Sequence, residues 1–225
     1  GFIDNGYGQT VAYSDNQGAS WTTKKVANGS ILNMLDKNHL WVDVVPTSPY
    51  KNNLYDGWMV SSNISVSRST TNGTSWSTPV NISSATAAGS HNQGINFKCG
   101  PDGEVYAAWG VYDNWPGDEK AIGFAKSLDG GATWQPAIRA INNLKGIRTS
   151  GVSQNMRVNS FPSMTCDISN SPYRGTIYVV WTNIGVPGVN IGPGSSVYMI
   201  KSTDKGATWS APKRINSDST AGKHH

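Results

Sequence analysis

Short runs of β-branched and aromatic residues, separated by turn-forming residues, recur along this chain. One such run ends in tryptophan in three places: residues 54–58 (LYDGW), 105–109 (VYAAW) and 177–181 (IYVVW). Runs of this length, bounded by Gly, Pro, Asn and Asp, are typical of strands, and the 3.6-residue period of an amphipathic helix is missing. The pattern therefore predicts an all-β chain built from short strands.

An eight-residue pattern, Ser-x-Asp-x-Gly-x-Thr-Trp, occurs four times and follows the third strand of each predicted unit. Residues 127–134 and 202–209 match it fully, whereas in 14–21 and 69–76 other polar residues replace the Asp and the Thr. Gly accepts a positive φ without strain, Asp can accept backbone N–H groups inside a turn, and Trp buries a large ring. The pattern is thus predicted to be a structural hairpin turn, and its Asp residues are not predicted to be catalytic acids. Its main positions are Ser14, Gly18, Trp21, Ser69, Gly73, Trp76, Ser127, Asp129, Gly131, Trp134, Ser202, Asp204, Gly206 and Trp209.

The spacing of the four turns predicts the architecture. They begin at residues 14, 69, 127 and 202, so the units are 55 to 75 residues long. Units of this length, with about four strands each, are typical of propeller blades. We predict blades of four antiparallel strands at residues 1–30, 38–84, 92–141 and 158–217, about three and a half blades in one domain, because the first lacks an inner strand. Residues 218–225 form a tail whose closing His pair resembles the remnant of a purification tag.

Composition limits the partners. Charged residues make up 14% of the chain, against about 25% in an average domain, and the net charge of +4 is not concentrated in a basic cluster. Nucleic-acid binders usually concentrate Lys and Arg on one stripe, so no nucleic-acid partner is predicted. No apolar run reaches the ~20 residues that span a bilayer. The abundance of Ser, Thr, Asn and Gly favours an extracellular or cell-surface location.

Cysteine and histidine spacing gives no sign of a metal site. Cys99 and Cys166 occupy equivalent positions in two units. They could form a disulfide or remain two buried free thiols, and we favour the free thiols. His39 and His91 both fall near the starts of first strands, where a ligand-binding role and a structural hydrogen bond are both open. No zinc spacing is present, and neither a metal nor a cofactor is predicted.

The turns and the tryptophan-ending strands together resemble the Asp-box, or bacterial neuraminidase repeat, of sialidase-like β-propellers. The resemblance extends from about residue 8 to residue 216 and implies part of a ring of six or more blades. The remaining blades would come from the same longer chain or, as the less favoured alternative, from a second copy. In sialidases, the face opposite the box turns carries three arginines that bind the substrate carboxylate, a Tyr nucleophile paired with a Glu, and an Asp acid/base. The Arg-containing motif that precedes the first box in that family is absent here, and the Tyr–Glu pair has no assignment.

The loop at residues 110–119 is the strongest candidate site on that opposite face. Tyr112 and Trp115 could stack on a sugar ring, and neighbouring carboxylates could accept its hydroxyl groups; the alternative is a solvated structural loop. Those carboxylates are Asp113, Asp118 and Glu119. A hard-cation site built from them is a further alternative, although no calcium-loop spacing is present.

Two arginines in the long connection that follows the third blade are candidates for binding a carboxylate. Arg148 and Arg157 lie within residues 142–159, and a guanidinium can bind a carboxylate in forked geometry. The alternative for Arg157 is a salt bridge or capping contact between blades.

Three functions remain open. The favoured one is a secreted or surface-attached recognition module that binds a glycan or a protein. The alternatives are a fragment of an exo-sialidase-type glycoside hydrolase and a structural assembly subunit. Because fold does not determine function, the choice depends on the residues of the candidate face.

Overall fold

The structure is a computed structural model that describes residues 2–3, 6–30, 32–86, 91–149, 158–192 and 194–217, with side chains from residue 8 onward. Within these ranges, fifteen strands form one three-stranded and three four-stranded antiparallel sheets. Nowhere in the described ranges does the chain form a helix with the length and apolar character needed to cross a bilayer. The predicted all-β class is confirmed.

Each sheet pairs its strands in chain order, so each is a simple meander. The first sheet contains β1 (Phe2–Ile3), β2 (Gly6–Tyr13) and β3 (Thr22–Asn28). The second contains β4 (Asp36–Val42), β5 (Leu54–Val60), β6 (Asn63–Ser69) and β7 (Val80–Asn81). The third contains β8 (His91–Cys99), β9 (Val105–Tyr112), β10 (Ala121–Ser127) and β11 (Ile138–Ile141). The fourth contains β12 (Ser163–Cys166), β13 (Ile177–Ile184), β14 (Ser195–Ser202) and β15 (Lys213–Arg214).

The eight-residue turn connects the last two strands of every sheet, and its polar residues hold it closed. In the third sheet, Ser127 Oγ accepts the Gly131 N–H at 2.8 Å. Asp129 accepts the Thr133 N–H at 2.9 Å and the Thr133 hydroxyl at 2.6 Å. Partial burial alone would raise the pKa of Asp129, but the hydrogen bonds from Thr133 and Ser127 outweigh it and hold that pKa at about 2. The carboxylate is therefore fully engaged in the turn.

The degenerate copies of the turn keep the same hydrogen bonds with different atoms. Asn16 Oδ1 accepts the Ser20 N–H at 2.9 Å, and Thr71 Oγ1 accepts the Ser75 N–H at 2.9 Å. In the complete copy 202–209, hydrogen bonds from Thr208 hold the pKa of the Asp204 carboxyl well below its usual value. Asp, Asn and Thr at the third position thus all close the turn in the same way.

The turn tryptophans pack between neighbouring sheets, with one exception. Trp76, Trp134 and Trp209 are half-buried, and each lies against the apolar cluster between its own sheet and the preceding one. Trp209, for example, meets Phe124 of the third sheet edge-on, with ring centroids 5.1 Å apart. Trp21 does not fit the prediction of a buried ring, because its side chain is 63% exposed. The reason is positional, since no described sheet precedes the first one.

The two cysteines are free and buried. Burial raises the pKa of the Cys99 thiol well above its usual value and that of Cys166 to about 12. Because the nucleophilic form of cysteine is the thiolate, both residues act here as small apolar side chains of the core.

Candidate functional site

The eight-residue turns lie on one face of the assembly of sheets. The residue before a turn donates to the turn of the following sheet in two places: Arg68 Nη1 donates to the Gly130 carbonyl at 3.1 Å, and Lys126 Nζ donates to the Lys205 carbonyl at 2.8 Å. In an antiparallel meander, the connection from the second strand to the third lies at the opposite end of the strands from the connection between the third and the fourth. The opposite face therefore carries the loop between β9 and β10, which contains most of the predicted site residues.

Trp115 is the centre of a stacked group on that face. The His91 ring lies 3.7 Å from the Trp115 centroid at an interplanar angle of 22°, and the Arg148 Cζ lies 4.2 Å from the same centroid. Two planar groups cannot share one ring face at these distances, so Trp115 is held between them. Its side chain remains 42% exposed, which leaves the ring edge open to a ligand.

Arg148 is fixed in place while its charged end stays available. Its Nε donates to the Pro116 carbonyl at 3.0 Å, and its guanidinium makes the cation–π contact with Trp115. Among the residues that the structure describes, Nη1 and Nη2 have no hydrogen-bond or ion-pair partner. The arrangement presents a guanidinium edge that has already lost much of its rotamer freedom.

His91 reinforces the stack as a neutral ring. Burial and the nearby Arg148 charge lower the pKa of His91 below its usual value, although Asp36 acts in the other direction. Its Nδ1 lies 3.0 Å from Ser62 Oγ. A neutral imidazole avoids repulsion with the guanidinium across the Trp115 ring.

The predicted carboxylates are less available than the sequence suggested. Asp113 forms a 2.6 Å ion pair with Arg139, and Asp118 accepts from the backbone and hydroxyl of Thr149 at 2.5 and 2.8 Å. Glu119 is 2% exposed. Since each carboxylate is engaged or buried, the geometry does not favour a cation site built from the three.

Tyr112 and Glu119 form a buried pair that the sequence did not reveal. The Tyr112 hydroxyl donates to Glu119 Oε1 at 2.7 Å, and the same oxygen accepts the Ser160 N–H at 2.8 Å. Burial and the Glu119 charge raise the pKa of Tyr112 well above its usual value, so the phenol stays protonated. Tyr112 is 0% exposed; in this conformation its ring cannot stack on a sugar.

The other predicted residues are placed differently. Arg157 lies outside the described residues. His39 pairs with Gly57 and aligns with Asn96 in the next sheet, not with His91, so the two histidines are not equivalent. His39 Nδ1 accepts the Phe97 N–H at 3.3 Å, and burial, with the Lys98 charge, lowers its pKa.

One contact close to His91, a hydrogen bond between Gln93 and Asp36, was not predicted from the sequence. Gln93 Nε2 donates to Asp36 Oδ2 at 2.9 Å and so connects the first strands of the second and third sheets. Asp36 is half-buried. The contact could have been predicted only from position, because both residues lie near the starts of the first strands of neighbouring sheets: Asp36 begins β4 and Gln93 is the third residue of β8.

Comparison with known proteins gives structural likeness only. No protein-family profile and no curated protein matches the chain. Among solved structures, the chain is similar to a GH93 α-L-arabinofuranosidase of Fusarium graminearum, with a TM-score of 0.58 and 14% identity over 96% of this chain and 60% of that one. It is also similar to an α-L-arabinanase of Penicillium chrysogenum, with a TM-score of 0.56 and 12% identity over 95% of this chain and 60% of that one.

A leech intramolecular trans-sialidase is a third similar structure, with a TM-score of 0.51 and 17% identity over 92% of this chain and 29% of that one. The chain spans 60% of the length of each of the first two structures. At these identities the likeness shows the fold alone. The four sheets are blades of a β-propeller with the fold of the arabinanase and sialidase structures.

Proposed function

We propose that this chain is part of a secreted or surface-attached propeller that recognises glycans through the face opposite its eight-residue turns. The observation that carries the proposal is the stack of Arg148 on Trp115, in which an exposed aromatic edge lies beside two guanidinium nitrogens, Nη1 and Nη2, that have no hydrogen-bond or ion-pair partner among the described residues. Planar guanidinium forks suit carboxylates. The favoured ligand is therefore a glycan that carries a carboxylate group.

We further propose that the eight-residue turns are Asp-boxes. The support is their shared hydrogen-bond pattern, in which a Ser hydroxyl accepts the Gly N–H and the third residue accepts the N–H four positions later. The similar structures add weight to a glycan ligand: one was solved with arabinobiose and another with 2,7-anhydro-Neu5Ac.

Recognition is favoured over hydrolysis because the acidic side chains of the candidate loop are buried, hydrogen-bonded or ion-paired. Glycoside hydrolysis needs two groups, an acid and a base or nucleophile, on either side of the scissile bond. In the described part of the candidate face, Asp118 and Glu119 are buried and hydrogen-bonded, Asp113 is ion-paired, and Tyr112 has no exposed surface. A hydrolase remains the second candidate because the similar structures include glycoside hydrolases.

Arg148→Ala is expected to weaken binding of a carboxylate-bearing glycan at least tenfold, because hydrogen bonds to a charged group contribute about 1.5–3 kcal/mol. Isothermal titration with 3′-sialyllactose, and with lactose as the neutral probe, measures the effect. Arg148→Lys, which keeps the charge but not the fork, should recover only part of the affinity.

Lys25→Ala is the matched control, since it removes an exposed cation from the first sheet and should leave the affinity unchanged. Equal affinity of the wild-type chain for both sugars would contradict the carboxylate preference. Release of a fluorophore from a fluorogenic sialoside, abolished in Arg148→Ala, would replace recognition by hydrolysis.

A further inference from the structure

The first strands of the second, third and fourth sheets lie beside one another and are joined by polar contacts. His39 of β4 accepts the Phe97 N–H of β8 at its Nδ1, 3.3 Å away. Asn96 of β8 accepts the Met164 N–H of β12 at its Oδ1, also 3.3 Å away. A backbone N–H of the following sheet therefore orients each of these two side chains.

The two backbone donors decide which atoms of His39 and Asn96 face each other. A neutral imidazole that accepts at Nδ1 carries its proton on Nε2, and an amide that accepts at Oδ1 keeps only donors on Nδ2. Burial, with the Lys98 charge, lowers the pKa of His39 and favours the neutral ring. His39 Nε2 and Asn96 Nδ2 lie 3.4 Å apart. Two N–H donors thus meet, and neither can accept from the other.

Lys98 adds a positive charge beside this pair of donors. It lies two residues after Asn96, on the same side of β8, and its ammonium lies 3.2 Å from the centroid of the Trp41 ring on β4. Within the described ranges, the Lys98 ammonium has no ion-pair partner and donates no hydrogen bond to an oxygen or nitrogen. The cation–π contact holds the ammonium in place and leaves its donors unused.

These side chains form a half-buried surface, which we call the inner-strand surface. Its members are His39, Trp41, Asn96 and Lys98. A water molecule can accept both N–H groups of the donor pair. The ammonium favours an anion over water, because charge-assisted hydrogen bonds are about twice as strong as neutral ones and partial burial lowers the local dielectric constant.

We propose that the inner-strand surface binds a small anion, which accepts hydrogen bonds from His39 Nε2 and Asn96 Nδ2 and pairs with the Lys98 ammonium. Two nitrogens 3.4 Å apart can both donate to one oxygen about 2.9 Å from each. The favoured anion is a carboxylate, and a halide ion is the competing source of the same charge. This site lies on β4 and β8, apart from the loop that carries Trp115, and does not depend on the proposed glycan recognition.

Titration with sodium acetate and with sodium chloride tests the site. The starting buffer contains a large sulfonate as its anion, and the ionic strength is held constant. The His39 Nε2–H signal is followed by ¹H–¹⁵N NMR and assigned with His39→Gln. We expect a saturable shift with acetate. Lys98→Met should weaken acetate binding about tenfold, because it removes a charged donor and keeps an unbranched side chain over Trp41.

Lys25→Met is the matched control, since it removes an exposed cation from the first sheet and should leave the affinity unchanged. Saturation by chloride but not by acetate would support the site and assign it to an inorganic anion. A shift that is equally large in Lys98→Met, or that does not saturate with either salt, would overturn the proposal. So would a proton found on His39 Nδ1, because the donor pair would then not exist.

Asn96→Asp provides the second measurement, because it supplies the acceptor from within the chain. Its carboxylate can accept from both Met164 N–H and His39 Nε2–H and can pair with Lys98. The melting temperature in the sulfonate buffer should rise by about 2–4 °C, and the response to acetate should disappear. Asn28→Asp, an exposed change on β3, should shift the melting temperature by less than about 1 °C. A lower melting temperature for Asn96→Asp would contradict the proposal, since the new carboxylate would then lack donors.

Discussion

Gly206→Ala is expected to destabilise the protein by about 3–5 kcal/mol, as a sum of backbone strain and overpacking. The Gly206 φ is +78°, a region that residues with a Cβ rarely adopt, and an added Cβ would overlap the Phe124 ring of the preceding sheet. The two sheets must then separate, and Trp209 loses part of its contact with Phe124. Urea unfolding followed by tryptophan fluorescence measures the loss.

Gly18→Ala separates the two contributions. Gly18 has a similar φ of +89°, but among the described residues an added Cβ would meet only Trp21, at 3.9 Å. Gly18→Ala should therefore lower the free energy of unfolding only by the strain of a positive φ, about 1–2 kcal/mol. Equal losses for the two variants would show that the turn does not hold neighbouring sheets together, and the account of the inter-sheet contact would be wrong.

Asp56→Asn is expected to stabilise the protein at pH 8 by about 2–4 kcal/mol, since each unit of pKa shift corresponds to about 1.4 kcal/mol. Asp56 is 0% exposed on β5. Burial raises the pKa of its carboxyl to about 7, and the Gln9 side chain and the Gly57 backbone offset only part of that rise. The asparagine keeps the shape of the carboxyl and removes the buried charge.

The sign of the pH dependence follows from the raised pKa of Asp56. Between about pH 4, near the pKa of an unfolded aspartate, and pH 7, the folded state keeps a proton that the unfolded state has lost. The free energy of unfolding therefore falls as pH rises through this window. The advantage of Asp56→Asn should be full at pH 8 and vanish near pH 4.

Asp15→Asn is the matched control for this experiment. Asp15 is exposed in the 14–21 turn, and its replacement should change the free energy of unfolding by less than about 0.5 kcal/mol at either pH. If Asp56→Asn gave the same change at pH 4 and pH 8, the buried charge could not be its cause.

Local patterns were sufficient to predict the strands and turns. The run of residues 177–181 lies inside β13 (Ile177–Ile184), and the eight-residue patterns are the connections between the last two strands of each sheet. Both features depend on interactions within a few residues, such as the hydrogen bonds that the Thr133 N–H and hydroxyl donate to Asp129. Short-range chemistry of this kind can be read directly from residue order.

The availability of the candidate site residues could not be predicted in this way. Tyr112, Asp118 and Glu119 are polar residues in or beside a loop, yet each is buried. Their partners Ser160 and Thr149 come from a connection about 30 to 40 residues further along the chain. Such distant contacts leave no local pattern, and the same is true of the contacts that Trp115 makes with His91 and Arg148.

The amino-acid sequence alone determined that the chain is all-β, that it repeats a unit of several strands, and that each unit closes with the same turn, because hairpins depend on neighbouring residues. Only the tertiary structure decided which of the turn tryptophans stays exposed, which carboxylates of the candidate loop are hydrogen-bonded or ion-paired, and that two nitrogens of Arg148 have no partner among the described residues. Those properties depend on how one sheet packs against the next, and the packing brings together side chains that are far apart in the sequence.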